Sequence, residues 1–209
     1  VTHGILRGSP KWSESVNGRK GIIELNGVDQ YIVLERSVSD FNEMEIHTSV
    51  KWDGGSANQR LFTFGSKENN MYFTPSDENG KMKLVIEKDG EIKNLVGSSA
   101  LPKNKWTDIK VVIANGAAVL YVDDKIAAVN YNVSVTPDGL NAQNVNSVSS
   151  CNYIGRGASA EDPCFKGAVD YFKIYFKAGE IPKQFYITGD VNGDGIINSF
   201  DAVLVGRYI

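Results

Sequence analysis

Between Gly21 and Phe176 the hydrophobic positions fall in short runs of β-formers separated by turn residues. These runs predict strands over 22–25, 31–34, 44–52, 60–64, 71–74, 81–87, 91–96, 107–114, 118–122, 125–130, 152–155 and 168–176. Asn26-Gly27, Asp53-Gly54-Gly55, Asn79-Gly80, Asp89-Gly90, Asn115-Gly116 and Asp123-Asp124 supply the turns between them. Two runs alternate cleanly. Met44, Ile46, Thr48, Val50 and Trp52 share one face against Glu45, His47, Ser49 and Lys51, and Phe172, Ile174 and Phe176 oppose Tyr171, Lys173 and Tyr175. Each such strand has a core face and a wetter face. Many short strands with tight turns predict an all-β fold, a two-sheet sandwich or a barrel. No long helix is expected before residue 190, and the sandwich portion has no internal repeat.

The pattern changes after Phe176. Residues 177–187 read as a connector, and 188–209 as a separate small element. There Asp190, Asn192, Asp194, Asn198 and Asp201 stand at loop positions 1, 3, 5, 9 and 12, with Gly195 at position 6. This spacing lets a 12-residue loop wrap one calcium ion, with the Ile196 carbonyl at position 7 as a further oxygen ligand. Position 12 is aspartate instead of the usual glutamate, and no helix-forming run precedes the loop. Residues 201–209 supply only an exiting helix, with Val203, Leu204 and Tyr208 roughly on one face.

Charge and composition narrow the function classes. The 209 residues carry 22 basic and 25 acidic side chains, a net charge of −3, so no basic excess offers itself to nucleic acid. No window approaches the roughly 20 apolar residues of a membrane span. The chain opens on Val1, which suggests excision from something longer. Two distant histidines, His3 and His47, leave little material for a histidine-based hydrolase or a zinc site. Glu87-Lys88-Asp89-Gly90-Glu91 has the acid spacing of a glycosidase strand, yet Asp89-Gly90 is a hairpin turn and Lys88 and Gly90 are no core residues. Catalysis by these acids is therefore not expected. Cys151 and Cys164 would close a loop of about 14 residues, and a bridge there would contribute roughly 3 kcal/mol and imply an oxidising, extracellular setting. The alternative is two unpaired thiols.

Sugar binding would need aromatic faces flanked by polar groups. Trp52, Tyr72, Trp106, Tyr131, Tyr171 and Tyr175 are candidates, and Tyr171, Lys173 and Tyr175 form the best stripe because all three project from one strand face. Each also has a packing reading: Trp52 and Trp106 at strand ends, Tyr171 and Tyr175 paired across strands.

Residues 189–209 resemble the first repeat of a type I dockerin, through Asp190-Val-Asn-Gly-Asp-Gly195, Asn198, Asp201 and Arg207-Tyr208-Ile209. That resemblance implies a cohesin partner on a scaffoldin, contacted through Ser199, Phe200 and Arg207, and only half of a two-repeat module. Phe200 and Gly206 depart from the family pattern. The rest of the chain resembles the laminin-G-like jelly rolls of the concanavalin A-like superfamily. The matching segments, in order, are Glu24 to Leu34, Met71 to Ser76, Leu101 to Thr107, Val119 to Asp123, Tyr153 to Arg156 and Phe165 to Tyr175. On that resemblance the first strand could lie upstream of Val1, and a structural calcium would sit between the Asp170 carboxylate and the Gly27 carbonyl. The two resemblances together imply a non-catalytic module that binds plant polysaccharide, secreted as part of a cellulosomal enzyme and attached to an upstream catalytic domain. The alternatives are a structural spacer packed on that catalytic domain, and a glucanase.

Overall fold

The computed structural model describes residues 4–16, 18–140 and 151–176. They form an all-β, two-sheet antiparallel sandwich. Its fourteen strands are β1 (Ile5–Arg7), β2 (Lys11–Val16), β3 (Arg19–Asn26), β4 (Tyr31–Val33), β5 (Met44–Trp52), β6 (Phe62–Gly65), β7 (Asn70–Thr74), β8 (Lys83–Lys88), β9 (Glu91–Val96), β10 (Trp106–Ala114), β11 (Ala117–Val122), β12 (Lys125–Asn130), β13 (Tyr153–Ile154) and β14 (Lys166–Tyr175). Sheet I runs β1-β4-β13-β6-β7-β8-β9, and sheet II runs β12-β11-β10-β5-β14-β3-β2. Among the described residues the only helical pieces are two short 3-10 turns, Arg36–Ser39 and Asp138–Leu140.

Hydrophobic alternation sets the layers. Met44, Ile46, Val50 and Trp52 of β5 are buried, as are Ile109, Val111 and Ile113 of β10, and they face Phe62, Phe64, Phe73 and Leu84 from sheet I. Phe172 of β14 crosses the interface, its ring edge-on to Phe62 and Phe64 at 5.8 and 6.0 Å. Edge-to-face contact matches the ring quadrupoles and adds to the burial of apolar area. Gly167 is required where β14 passes β5, because a Cβ there would stand 2.2 Å from the Lys51 carbonyl oxygen.

Most predicted strands are present, and 44–52, 91–96 and 125–130 keep the expected bounds. Asp89 and Gly90, at φ 52° and 81°, turn β8 into β9 as their chemistry requires. Two corrections follow. Strands β1 and β2 lie within residues 5–16, where no strand was predicted. Both are edge strands, and the three residues of β1 are exposed, so neither carries a strong alternating signal. A bulge between Val169 and Tyr171 gives β14 an extra residue, Asp170, that strict alternation does not anticipate.

The cysteines are not bridged. The Cys151 amide donates to the Gly65 carbonyl at one end of β6, whereas Cys164 pairs with Arg60 beyond the other. Five residues of extended chain separate these positions, roughly 16 Å, well past the about 7 Å that a disulfide spans. Burial pushes both thiols up from their ordinary pKa.

Candidate functional site

The outer face of sheet I carries a cleft of about 220 Å³. Its floor is built by cross-strand register: Thr63 of β6 stands opposite Tyr72 of β7, and Asn70 and Glu87 pair on β7 and β8. Its wall is the loop carrying Ser159 and Asp162. That loop is tight because Asp162 Oδ2 accepts the Ser159 amide at 3.0 Å and fills the space where a Cβ on Gly157 would lie.

Arg60 organises the cleft. Its guanidinium lies over the Tyr72 ring at 3.6 Å, donates to the Asn58 carbonyl at 2.9 Å and reaches Asp162 at 3.3 Å. A planar guanidinium can stack on a ring and still bond in its own plane. Burial raises the Tyr72 pKa, with the Arg60 charge opposing, so the phenol is a neutral donor and acceptor at physiological pH. The Thr63 hydroxyl is buried and has no hydrogen-bond partner. Leaving such a group unsatisfied costs about 1–3 kcal/mol. Beside Thr63, on the neighbouring strand, stands Tyr153, its register partner. Arg156 covers Tyr31 and Tyr153 at 4.7 and 5.7 Å and donates to the Tyr31 hydroxyl at 2.8 Å. The cleft can therefore offer hydroxyl, amide, carboxylate and guanidinium groups around a tyrosine. A larger cavity of about 370 Å³ opens between the sheets, but Phe41, Phe172, Ile174 and Phe176 line it, and among the described residues Ser37 is its one polar side chain.

The predicted sugar-binding residues do not meet at one place. Tyr72 lies in the sheet I cleft. Trp52 is a core residue, 3% exposed, its indole donating to Gln59 Oε1 at 2.9 Å, so it offers no free face. Tyr171, Lys173 and Tyr175 do share the outer face of sheet II. There Lys173 lies over Tyr171 at 4.9 Å, and Tyr175 packs edge-on against His47 at 5.2 Å. His47 also pairs with Glu45, and Lys110 covers Tyr121 at 4.1 Å. Trp106 is on this face too, under Arg19 at 4.6 Å, and Tyr131 follows β12 half-buried.

The two residues of the predicted calcium pair lie apart in the fold. Asp170 forms an ion pair with Arg19, which also donates to Ser49 at 3.1 Å. Gly27 packs against Lys166, the partner of Asn26. Asp170 and Gly27 are thus about five residues apart along the β14–β3 ladder, roughly 16 Å, while a calcium ion takes oxygens at about 2.3–2.6 Å. Among the described residues no group of three or more His, Cys, Asp and Glu could hold a metal. The predicted loop ligands Asp190, Asn192, Asp194, Ile196, Asn198 and Asp201, and the partner-contact residues Ser199, Phe200 and Arg207, lie outside the described residues.

Arg60, Thr63, Asn70, Arg156 and Asp162 were not singled out by the sequence. The one signal pointing here is Tyr72, whose cross-strand neighbours are set by register alone.

A family model described as the concanavalin A-like lectin/glucanases superfamily matches residues 26–179. No curated protein matches. Among solved structures, domain 4 of AbnA, a GH43 extracellular arabinanase from Geobacillus stearothermophilus in complex with arabinotriose, is similar with a TM-score of 0.62 and 21% identity, over 82% of this chain and 77% of that one. The CBM40 of the Ruminococcus gnavus IT-sialidase, bound to α2,3-sialyllactose, is similar with a TM-score of 0.62 and 14% identity, over 78% and 93% of the two chains. Tailspike protein 2 of Escherichia coli O157:H7 bacteriophage CAB120 reaches a TM-score of 0.60 at 13% identity, over 94% of this chain and 27% of that one. At these identities the likeness is one of fold. With the family match spanning most of the chain and the two sheets in place, the chain belongs to the concanavalin A-like lectin/glucanase superfamily, as a laminin-G-like sandwich domain.

Proposed function

We propose that this domain is a non-catalytic carbohydrate-binding module and that its saccharide sits in the cleft on the outer face of sheet I. The observation that carries the reading is the recess beside the Arg60–Tyr72 stack, lined by Asn70, Glu87, Ser159 and Asp162. The amide, carboxylate and hydroxyl groups of the lining suit sugar hydroxyls, and the Tyr72 phenol beside them can donate or accept a further hydrogen bond. Two of the similar structures hold saccharides, arabinotriose and sialyllactose, which supports the class of ligand. Plant polysaccharide is the ligand source that fits the sequence resemblance.

The test is calorimetric titration of the full chain with a panel of plant polysaccharides. Tyr72→Ala is expected to weaken binding at least tenfold, about 1.4 kcal/mol, while the double variant Tyr171→Ala, Tyr175→Ala binds as the unaltered chain does. Equal loss in the double variant moves the site to sheet II, and no binding to any glycan removes the reading.

The remaining parts of the proposal rest on the sequence of residues 188–209. We infer that Asp190, Asn192, Asp194, Ile196, Asn198 and Asp201 bind one calcium ion. The same segment would attach a secreted, cellulosomal parent enzyme to a cohesin. Calcium titration is expected to lose one site in Asp190→Ala; unchanged stoichiometry overturns the assignment. One observation favours a spacer role instead: Leu6 and Trp12, 44% and 57% exposed, lie on the consecutive edge strands β1 and β2. An apolar edge of this kind suits packing on a catalytic domain of the parent chain. Aggregation that is relieved by Trp12→Ser, without glycan binding, would support it.

A further inference from the structure

The half-buried arginines of the sandwich differ in how their charge is met. Arg19 holds Asp170, Arg36 holds Asp40 and Arg60 holds Asp162. Arg156 is half-buried and stacked over Tyr31 and Tyr153, and it donates a hydrogen bond to the Tyr31 hydroxyl. No carboxylate of the described residues pairs with it. A guanidinium has five N–H donors in a rigid fork, so most of its donors remain unused. A half-buried charge held flat against two rings and left without a counter-ion is arranged for an anion from outside.

Arg156 also lies beside the cleft. Tyr153, beneath it, is the register partner of Thr63, one strand spacing or about 4.8 Å away. Lys67 is a second cation, in the lining of the cleft itself. Two acids of the face do not cancel this charge. Asp162 is engaged by Arg60 and the Ser159 amide, and Glu87 stands on β8, three strand spacings or about 14 Å from β13. Glu68 and Asp29, both exposed, stand close enough to act on the Cys151 and Cys164 thiols as Arg156 does, but neither forms an ion pair with it.

We propose that the saccharide bound at this face carries an anionic substituent, a carboxylate or a sulfate ester, on the sugar next to the one over Tyr72, and that Arg156 receives it. This rests on the saccharide reading above. The ring beside Thr63 and Tyr72 is read by hydroxyl contacts, and the adjoining ring by charge.

The experiment titrates the full chain with four probes: trigalacturonate, its methyl ester, a sulfated galactan trisaccharide and the desulfated trisaccharide. One acidic probe is expected to bind at least tenfold more tightly than its neutral counterpart, with the margin shrinking as salt rises. Which acid shows the margin assigns carboxylate or sulfate. In Arg156→Gln the margin should vanish while the neutral probe binds as before. Arg156→Lys keeps a charge but not the fork, so its margin should fall several-fold, and it serves if Arg156→Gln does not fold. Equal binding of acidic and neutral probes by the unaltered chain, or a margin that survives in Arg156→Gln, overturns the proposal and makes Arg156 a packing group. Failure of all four probes and of the neutral polysaccharide panel removes the saccharide reading itself, and the proposal with it.

Discussion

The outer faces of the two sheets are built from similar side chains and reach different ends. On sheet II the cations and rings satisfy one another: Lys173 on Tyr171, Lys110 on Tyr121, His47 with Glu45 and Tyr175, Arg19 with Asp170. The Trp106 indole nitrogen is an exception, buried without a partner. On sheet I the Arg60–Tyr72 stack leaves the Thr63 hydroxyl unmet, Arg156 keeps most of its donors, and the loop around Asp162 raises a wall beside them. An aromatic stripe is therefore a poor guide to a binding face by itself. What distinguishes the faces is whether polar groups are consumed by neighbours in register or left pointing into a recess.

The comparison can be broken in several places. The largest effect is expected where the sheets meet: Phe172→Ala should destabilise the sandwich by about 2–3 kcal/mol, below the cost of a fully buried ring because Phe172 is partly buried, since it removes the ring that meets Phe62 and Phe64 edge-on. Chemical denaturation measures it, and a loss under 1 kcal/mol would mean that Phe172 is not part of the joint. Next, Asp170→Asn on sheet II should cost about 1–2 kcal/mol, discounted because Arg19 is partly exposed. Glycan binding should be unchanged in that variant; weakened binding would give sheet II a functional part.

A smaller effect is set by pH. Burial raises the Tyr72 pKa above its ordinary 10.0. The folded state then holds the phenolic proton more tightly than the unfolded chain, so this contribution is complete below about pH 10 and lost as pH climbs through the folded value. Tyr72→Phe should flatten the fall in melting temperature above pH 10, and an unchanged slope would show that the ring is not desolvated. The smallest effect is none at all: a reducing agent should leave the melting temperature in place, since Cys151 and Cys164 are not bridged. A drop of several degrees would restore the disulfide.

Much of the fold was legible because local rules carry it. The inward stripe of β5, the Asp89-Gly90 hairpin that disarms the acidic string, and the Phe172-Ile174 face of β14 all rest on alternation and turn chemistry within one segment. Strands β1 and β2 escaped because short edge strands bury little, and the Asp170 bulge because one extra residue leaves no mark in a pattern of period two. The site was legible only through Tyr72. Its partners come from β6, β7, β8 and a loop about ninety residues further along, and no spacing in the chain announces that they converge.

The sequence carries an all-β sandwich or barrel, its turns, a charge balance with no basic excess, and the oxygen-ligand spacing of residues 190–201. Each follows from chemistry between near neighbours in the chain. Only the tertiary structure settles which tyrosine faces a recess, which half-buried arginine has no carboxylate partner, that Asp170 pairs with Arg19, and that two cysteines near in sequence stand at opposite ends of β6. These depend on strand order and register, which join residues far apart in the chain and are settled by how two hydrophobic faces close on each other.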